Sequence, residues 1–281
     1  MSGFDKRITP ARPDLAASHL RGKVEALHYA DGIVMQVIDP SAPLRAAPTP
    51  EASLDTEALH GEAVTVYEDN EEGWSWGQLA RDGYVGWLPS NALSKNVEKS
   101  THRVQALRTF VFPKADIKSP PVASLSFGSL CAVTREEENF VVTRHGGFIP
   151  KQHVVPLDFR EADAVAVAYR FLGTPYLWGG KTSGGLDCSG LVQLSLQSAG
   201  YECPRDSDLQ QKIGSPVSCS DLQALSRGDL IFWKGHVGFY AGEGKLLHAN
   251  AFHMAVAEEP LAEAVARISR SGAEILEVRR L

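Results

Sequence analysis

From Ile33 onward, apolar and polar residues alternate in short runs separated by turn residues, the pattern of half-buried strands. Strands are expected at residues 34–37, 63–67, 74–79 and 84–88, with Pro40, Pro43, Pro48 and Pro50 marking a loop after the first. A second set is expected at 104–107, 124–130, 131–134, 140–143 and 147–149. This is the rhythm of small barrels. An internal echo supports one repeat per barrel, since Gly86-Trp87-Leu88-Pro89 is matched by Gly147-Phe148-Ile149-Pro150. Ahead of both sets, residues 15–28 have the spacing of a short helix ending near Asp31-Gly32. After Pro156 the period changes. Residues 161–172 follow helical spacing and stop at Gly173 and Pro175, strands are expected at 229–233, 237–241, 245–250 and 274–279, and a helix over 261–271. The chain thus divides into a lead-in segment (1–30), a first barrel (31–97), a second barrel (98–157) and an α+β domain (158–281).

Whole-chain properties narrow the partners. The 281 residues are 43% hydrophobic, enough for several buried cores. The net charge is −6 and no run of Lys/Arg exceeds a pair, so no footprint for nucleic acid is present. Residues 1–12 contain no apolar leader and no stretch of about 18 apolar residues occurs, so neither membrane nor export is expected and the cytoplasm is the expected location. Four cysteines, Cys131, Cys188, Cys203 and Cys219, lack CxxC spacing and fit a reducing compartment, with a Cys203–Cys219 bridge left open.

The chemistry concentrates after Thr174. In Gly184-Gly185-Leu186-Asp187-Cys188-Ser189-Gly190 a cysteine opens an amphipathic helix, with Asp187 suited to cap it. Unpaired N–H groups of a first helical turn favour a thiolate and help hold an oxyanion. A nucleophilic sulfur needs a base, and the base needs an orienting group. His236 in Gly235-His236-Val237-Gly238 and His248 in Leu247-His248-Ala249 lie on two expected strands joined at Gly242–Gly244, so antiparallel pairing would bring both imidazoles to one face. His236 is the expected base and His248 the group that fixes its tautomer, giving a bell-shaped rate profile bounded by a lowered thiol pKa and an imidazole pKa. A catalytic zinc held by Cys188, His236 and His248 is disfavoured, because no short-spaced ligand pair accompanies them; no metal or cofactor is expected. Cys131, Cys203 and Cys219 read as structural thiols, and Trp178 reads equally as core or cleft lining.

Five ordered motifs resemble the NlpC family of papain-like cell-wall peptidases: Tyr176-x-Trp178-Gly179-Gly180, Asp187-Cys188-Ser189-Gly190, Arg227-Gly228-Asp229-Leu230, His236-Val237-Gly238 and His248-Ala249. The stretch from Glu72-Gly73-Trp74 to Asp82-Gly83-Tyr84-Val85-Gly86-Trp87-Leu88-Pro89 resembles bacterial SH3-like domains. The resemblance implies a papain-like catalytic domain, helices packed on an antiparallel sheet, behind two small SH3-like β-barrels. It implies Cys188, His236 and His248 as a triad, Tyr176 beside the nucleophile, and Asp187 and Ser189 flanking the substrate. It further implies hydrolysis of murein peptides at the bond between γ-D-glutamate and diaminopimelate or lysine. Relatives with SH3-like domains often require a free N-terminal L-alanine. Glu57 and Tyr84 are the expected wall for that amine, with Glu62 nearly equivalent to Glu57; free peptides of peptidoglycan recycling would then be the substrate. The competing readings are a wall-binding scaffold with a relic peptidase domain, or a papain-like amidase or acyltransferase.

Overall fold

Alternation becomes an antiparallel sheet in the first half of the chain. The structure is a computed structural model describing residues 4–218 and 222–281, and the chain divides into units Met1–Phe159 and Arg160–Leu281. In the first unit a seven-stranded sheet runs in the order Leu54–Leu59, Ser41–Arg45, Val85–Pro89, Trp74–Leu79, Ala63–Asp69, Ile33–Val37, Leu93–Ser94. Its inward positions, among them Val37, Leu44, Ala58, Val64, Leu79 and Leu88, form one buried cluster. Two of these strands occupy the stretch expected to be a proline-rich loop. Pro43 is tolerated there because, beyond its pairing with Leu54–Leu59, its strand meets the next only at Arg45, so the missing N–H interrupts no ladder on that side.

A second, smaller core gathers Val104, Leu125, Cys131, Val141, Ile149 and Val154 between short antiparallel strands. The internal echo has a structural counterpart. Val85–Pro89 and Phe148–Pro150 each end on a proline that leads into a 3-10 turn, Ser90–Ala92 and Lys151–His153, and then a short strand.

The helix expected over 15–28 does not form. Leu15–Ala17 and His28–Ala30 pair as parallel strands around a 3-10 turn at Ser18–Leu20, and Gly22 sits at φ 80°, a left-handed conformation no α-helix accommodates. Tertiary contacts override the local spacing here. Arg12 lies 4.4 Å over the Trp76 ring and 5.0 Å from that of Trp87, and bonds Asp14 and Glu68, fixing the lead-in to the first barrel.

The second unit is α+β. Its helices are α1 (Ala164–Arg170), α2 (Cys188–Ser198), α3 (Ser207–Gln210) and α4 (Leu261–Arg270). Its main sheet uses β1 (Ser215–Val217), β2 (Leu230–Trp233), β3 (His236–Gly242), β4 (Lys245–Asn250), β5 (Ala255–Pro260) and β6 (Glu277–Arg280), in the order β1-β6-β2-β3-β4-β5, all antiparallel. Ile231, Trp233, Leu246 and Val278 pack against Leu261 and Ala264 of α4. α2 is buried along nearly its whole length and packs on α1, β3 and β4. The Arg227-Gly228-Asp229-Leu230 motif fastens the end of the chain to this sheet, because buried Asp229 accepts two hydrogen bonds from Arg280 of β6, at 2.7 and 2.6 Å.

Candidate active site

Cys188 opens α2 because Asp187 caps it: Asp187 Oδ1 accepts from Gly190 N at 2.7 Å. A side chain on Gly190 would meet the Gly180 carbonyl oxygen at 2.6 Å, so glycine is required at that turn. Asp187 Oδ2 also accepts from Gly179 N at 2.9 Å, tying the Trp178-Gly179-Gly180 loop to the head of the helix. The sulfur is buried, with the backbone N–H groups of Ser189 and Val237 directed at it, so it lies beside the strand residue that follows His236.

The two histidines are brought together by register. Phe239 pairs with Leu247, which sets Gly238 opposite His248. A Cβ at Gly238 would stand 2.9 Å from that of His248, so glycine at 238 lets the ring lie across β3 toward His236. His236 Nε2 and His248 Nδ1 are 2.8 Å apart. The turn before β3 has Gly235 at φ 72°, which places His236 at the strand's first position and its ring 5.7 Å from that of Trp233.

Burial governs the charges. It pushes the Cys188 thiol up to about 12, reinforced by Asp187, while the N–H groups of Val237 and Ser189 and the Arg205 charge only partly oppose it. Burial also takes His236 down to about 3, with the neighbouring His248 and Arg267 acting in the same sense. The thiol therefore rests protonated, not lowered by the helix as expected, because desolvation outweighs the dipole. Burial thus favours the neutral form of each of the two groups. Tyr176 is half-buried near the sulfur, its backbone N–H bonded to the Met254 carbonyl; burial, then the charges of Cys188 and Asp187, raise its phenol, which stays a hydrogen-bond donor.

Residues 173–268 match the profile described as the NlpC/P60 family, and residues 44–93 match the bacterial dipeptidyl-peptidase Sh3 domain. A γ-D-glutamyl-L-lysine dipeptidyl-peptidase of Bacillus subtilis (strain 168) is 32% identical over 216 residues, covering 70% of this chain and 72% of the relative. The chain belongs to the NlpC/P60 family. A γ-D-glutamyl-L-lysine dipeptidyl-peptidase of Bacillus cereus is 30% identical over 240 residues, 74% of this chain and 71% of that protein. A crystal structure of an NlpC/P60 family protein from Bacillus cereus superposes with TM-score 0.73 at 23% identity, covering 88% of this chain and 99% of that one, which shows the shared fold.

The NlpC/P60 motifs converge on the second unit, but the structure adds residues that sequence spacing does not single out. Arg205, 1% exposed, donates to both Asp187 oxygens at 2.9 and 2.8 Å, to Ser189 Oγ at 2.9 Å and to the Gly180 carbonyl at 3.2 Å. Asp187 and Ser189 are thus engaged inside the protein, supporting the turn that carries Cys188. Glu259 of β5 bonds His248, and Arg267 of α4 bonds Glu259. Nothing local in Pro204-Arg205-Asp206 or Glu258-Glu259-Pro260 signals these roles; the fold alone assembles them. Trp178 is 67% exposed, which removes it from the core and leaves its ring available to a ligand.

In the first unit, Glu62 is buried and paired with Arg81 at 2.8 Å, whereas Glu57 is half-buried and accepts from Ser41 Oγ at 3.2 Å. Tyr84, expected as a wall, is 5% exposed within the first barrel's core, so it shapes that barrel more than it offers a surface. Cys131 is a buried free thiol whose pKa burial pushes up to about 12. Cys203 is buried, and Cys219, its expected alternative partner, lies outside the described residues. Among the described residues no helix is long and apolar enough to cross a membrane.

Acid lability follows from the same burial. His236 has a folded pKa of about 3 against about 6.5 unfolded, so between those values the unfolded chain binds the extra proton. Stability is therefore intact above pH 6.5 and falls as pH drops toward 3. Urea denaturation of wild type and His236→Gln at about pH 7.5 and about pH 5 is expected to show a smaller acid loss in the variant.

Proposed function

We propose that the second unit is a cysteine peptidase acting on murein peptides at the bond between γ-D-glutamate and the following diamino acid, with Cys188 as nucleophile and His236 as base. The observation that carries this reading is the 2.8 Å His236–His248 contact beside a buried cysteine at the head of a capped helix. As the scissile carbonyl enters, Sγ attacks its carbon while the thiol proton passes to His236. The tetrahedral oxyanion is met by N–H groups of the first turn of α2 and by the protonated Tyr176 phenol. His236 then gives its proton to the leaving amine, and water releases the glutamyl product from the thioester. His248, through its Nδ1, orients His236 at the latter's Nε2.

The relatives' named activity on γ-D-glutamyl-L-lysine supports lysine as one accepted diamino acid. Glu57 is proposed as the carboxylate that receives a free N-terminal amine, which would restrict the enzyme to released peptides such as those of recycling. Free thiols at Cys131 and Cys188 are compatible with a reducing cytoplasm. The test is mass-spectrometric hydrolysis of L-Ala-γ-D-Glu-L-Lys, its diaminopimelate counterpart and their N-acetylated forms. Cleavage of the free forms with acetylated forms inert is expected. Equal cleavage of acetylated forms would remove the amine requirement, and binding without cleavage of any form would favour the scaffold reading.

A further inference from the structure

We infer that Glu259, clamped by Arg267, is a positioning residue that sets the tautomers of both histidines and thereby turns His236 Nδ1 into the base. This rests on the proposed function and extends it by two residues. Glu259 is 8% exposed, and His248 Nε2 stands 2.8 Å from its Oε1. Arg267 holds both carboxylate oxygens, Oε2 at 2.5 Å and Oε1 at 2.6 Å. Against burial, which raises a carboxyl pKa, the hydrogen bonds from His248 and Arg267 bring that of Glu259 down to about 2. An ionised carboxylate only accepts hydrogen bonds. Each remaining proton then follows. His248 must donate from Nε2, so its Nδ1 carries a lone pair. The partner 2.8 Å away, His236 Nε2, must therefore carry the hydrogen, and the lone pair of His236 falls on Nδ1, the nitrogen left for the thiol.

The strands supply the alignment. His248 pairs with Ala257 across β4 and β5, so Glu259, two residues on, shares its face, and α4 follows directly to bring Arg267 over the carboxylate. Around the carboxylate are His248 from β4, Arg267 from α4 and His253, whose Nδ1 is 3.9 Å from Oε1 and 3.0 Å from Asn250 Oδ1; Glu263 adds negative charge beside Arg267. His248, His253 and Glu259 also lie close enough together to suggest a metal site, but Arg267 occupies both carboxylate oxygens, so the cluster reads as a relay. When His236 takes the thiol proton, the resulting imidazolium faces a chain that ends in a fixed negative charge.

Replacing the carboxylate by an amide breaks the logic, because a glutamine side chain offers a donor as well as an acceptor. With the amide N–H turned to His248 Nε2, His248 switches to the Nδ1–H form and donates to His236 Nε2, and the His236 hydrogen then lies on Nδ1. Glu259→Gln is expected to lower kcat about 10²–10⁴-fold with KM changed less than about threefold, the scale set when a triad histidine is left in the wrong tautomer. Glu259→Asp is expected to recover part of the rate. Long-range ¹H–¹⁵N spectra of histidine-labelled protein are the direct readout. Wild type should show His236 and His248 as Nε2–H tautomers, and Glu259→Gln should lose that assignment for His248 while thermal melting confirms a folded chain. Unchanged tautomers in a folded Glu259→Gln protein, or a kcat within about twofold of wild type, would overturn the inference. The spectra need no substrate, so an inactive wild type would sink the peptidase reading and leave this assignment to be judged separately.

Discussion

Cys188→Ala is expected to abolish hydrolysis of γ-D-glutamyl peptides, with kcat falling by about 10⁴-fold or more, while the protein stays folded and still binds peptide. Removing a nucleophile removes the covalent route itself, and groups acting as a unit give non-additive losses. His236→Ala should therefore cost a similar factor, and the double variant little more than either. The structural cost is small, because Sγ is one atom in a buried site and the cap of α2 is made by Asp187, not by the thiol. Thermal melting within a few degrees of wild type, retained binding by calorimetry and lost turnover would together locate the chemistry on Cys188. Cys188→Ser should be nearly as inert, since a hydroxyl is a far weaker nucleophile at neutral pH. Residual activity within about tenfold of wild type would remove the thiol mechanism.

The legible part of this site is the part written locally. Asp187-Cys188-Ser189-Gly190 announces a capped helix, and Gly235-His236 and Leu247-His248 announce two strands with a turn between them, so the elements that carry the three residues are legible from period and turn chemistry. The α+β class is legible for the same reason, whereas the SH3-like domain ahead of it is read from a resemblance of motifs. The helix expected over 15–28 fails because Leu15–Ala17 pairs with His28–Ala30 in a parallel bridge turned at Gly22, pairing that apolar spacing alone does not reveal. Ser41–Arg45 and Leu54–Leu59 are hidden because proline signals a loop in sequence, whereas a sparsely paired strand tolerates it. Strand β5 escapes the pattern, and Glu259 with it, since Ala255-Val256-Ala257 alternates too weakly to stand out from a loop. The charge state of the thiol is illegible for a different reason: a helix N-terminus is visible in sequence, whereas the burial that opposes it is a property of the folded unit.

Arg205→Met is expected to be the most destabilising single change in the second unit, at about 3–5 kcal/mol, the range for removing one partner of a buried ion pair. For a unit of this size that corresponds to a fall in melting temperature of about 10–20 °C. Four acceptors converge on the guanidinium, both oxygens of Asp187, Ser189 Oγ and the Gly180 carbonyl, and no apolar replacement satisfies any of them. Arg205→Lys should rescue little, because one ammonium cannot span the fork that reaches Asp187 twice while also meeting Gly180. Removing the charge on both sides separates the two costs. When Arg205→Met is combined with Asp187→Asn the uncompensated carboxylate is gone, and the new amide can still cap α2 through its side-chain oxygen, so part of the lost stability should return. Recovery in the double variant would assign the loss to a stranded buried charge; no recovery would mean that the guanidinium's hydrogen bonds to Gly180 and Ser189 hold the loop by themselves. In either case kcat should fall even where the chain remains folded, because the same turn sets the position of Cys188 at the start of α2.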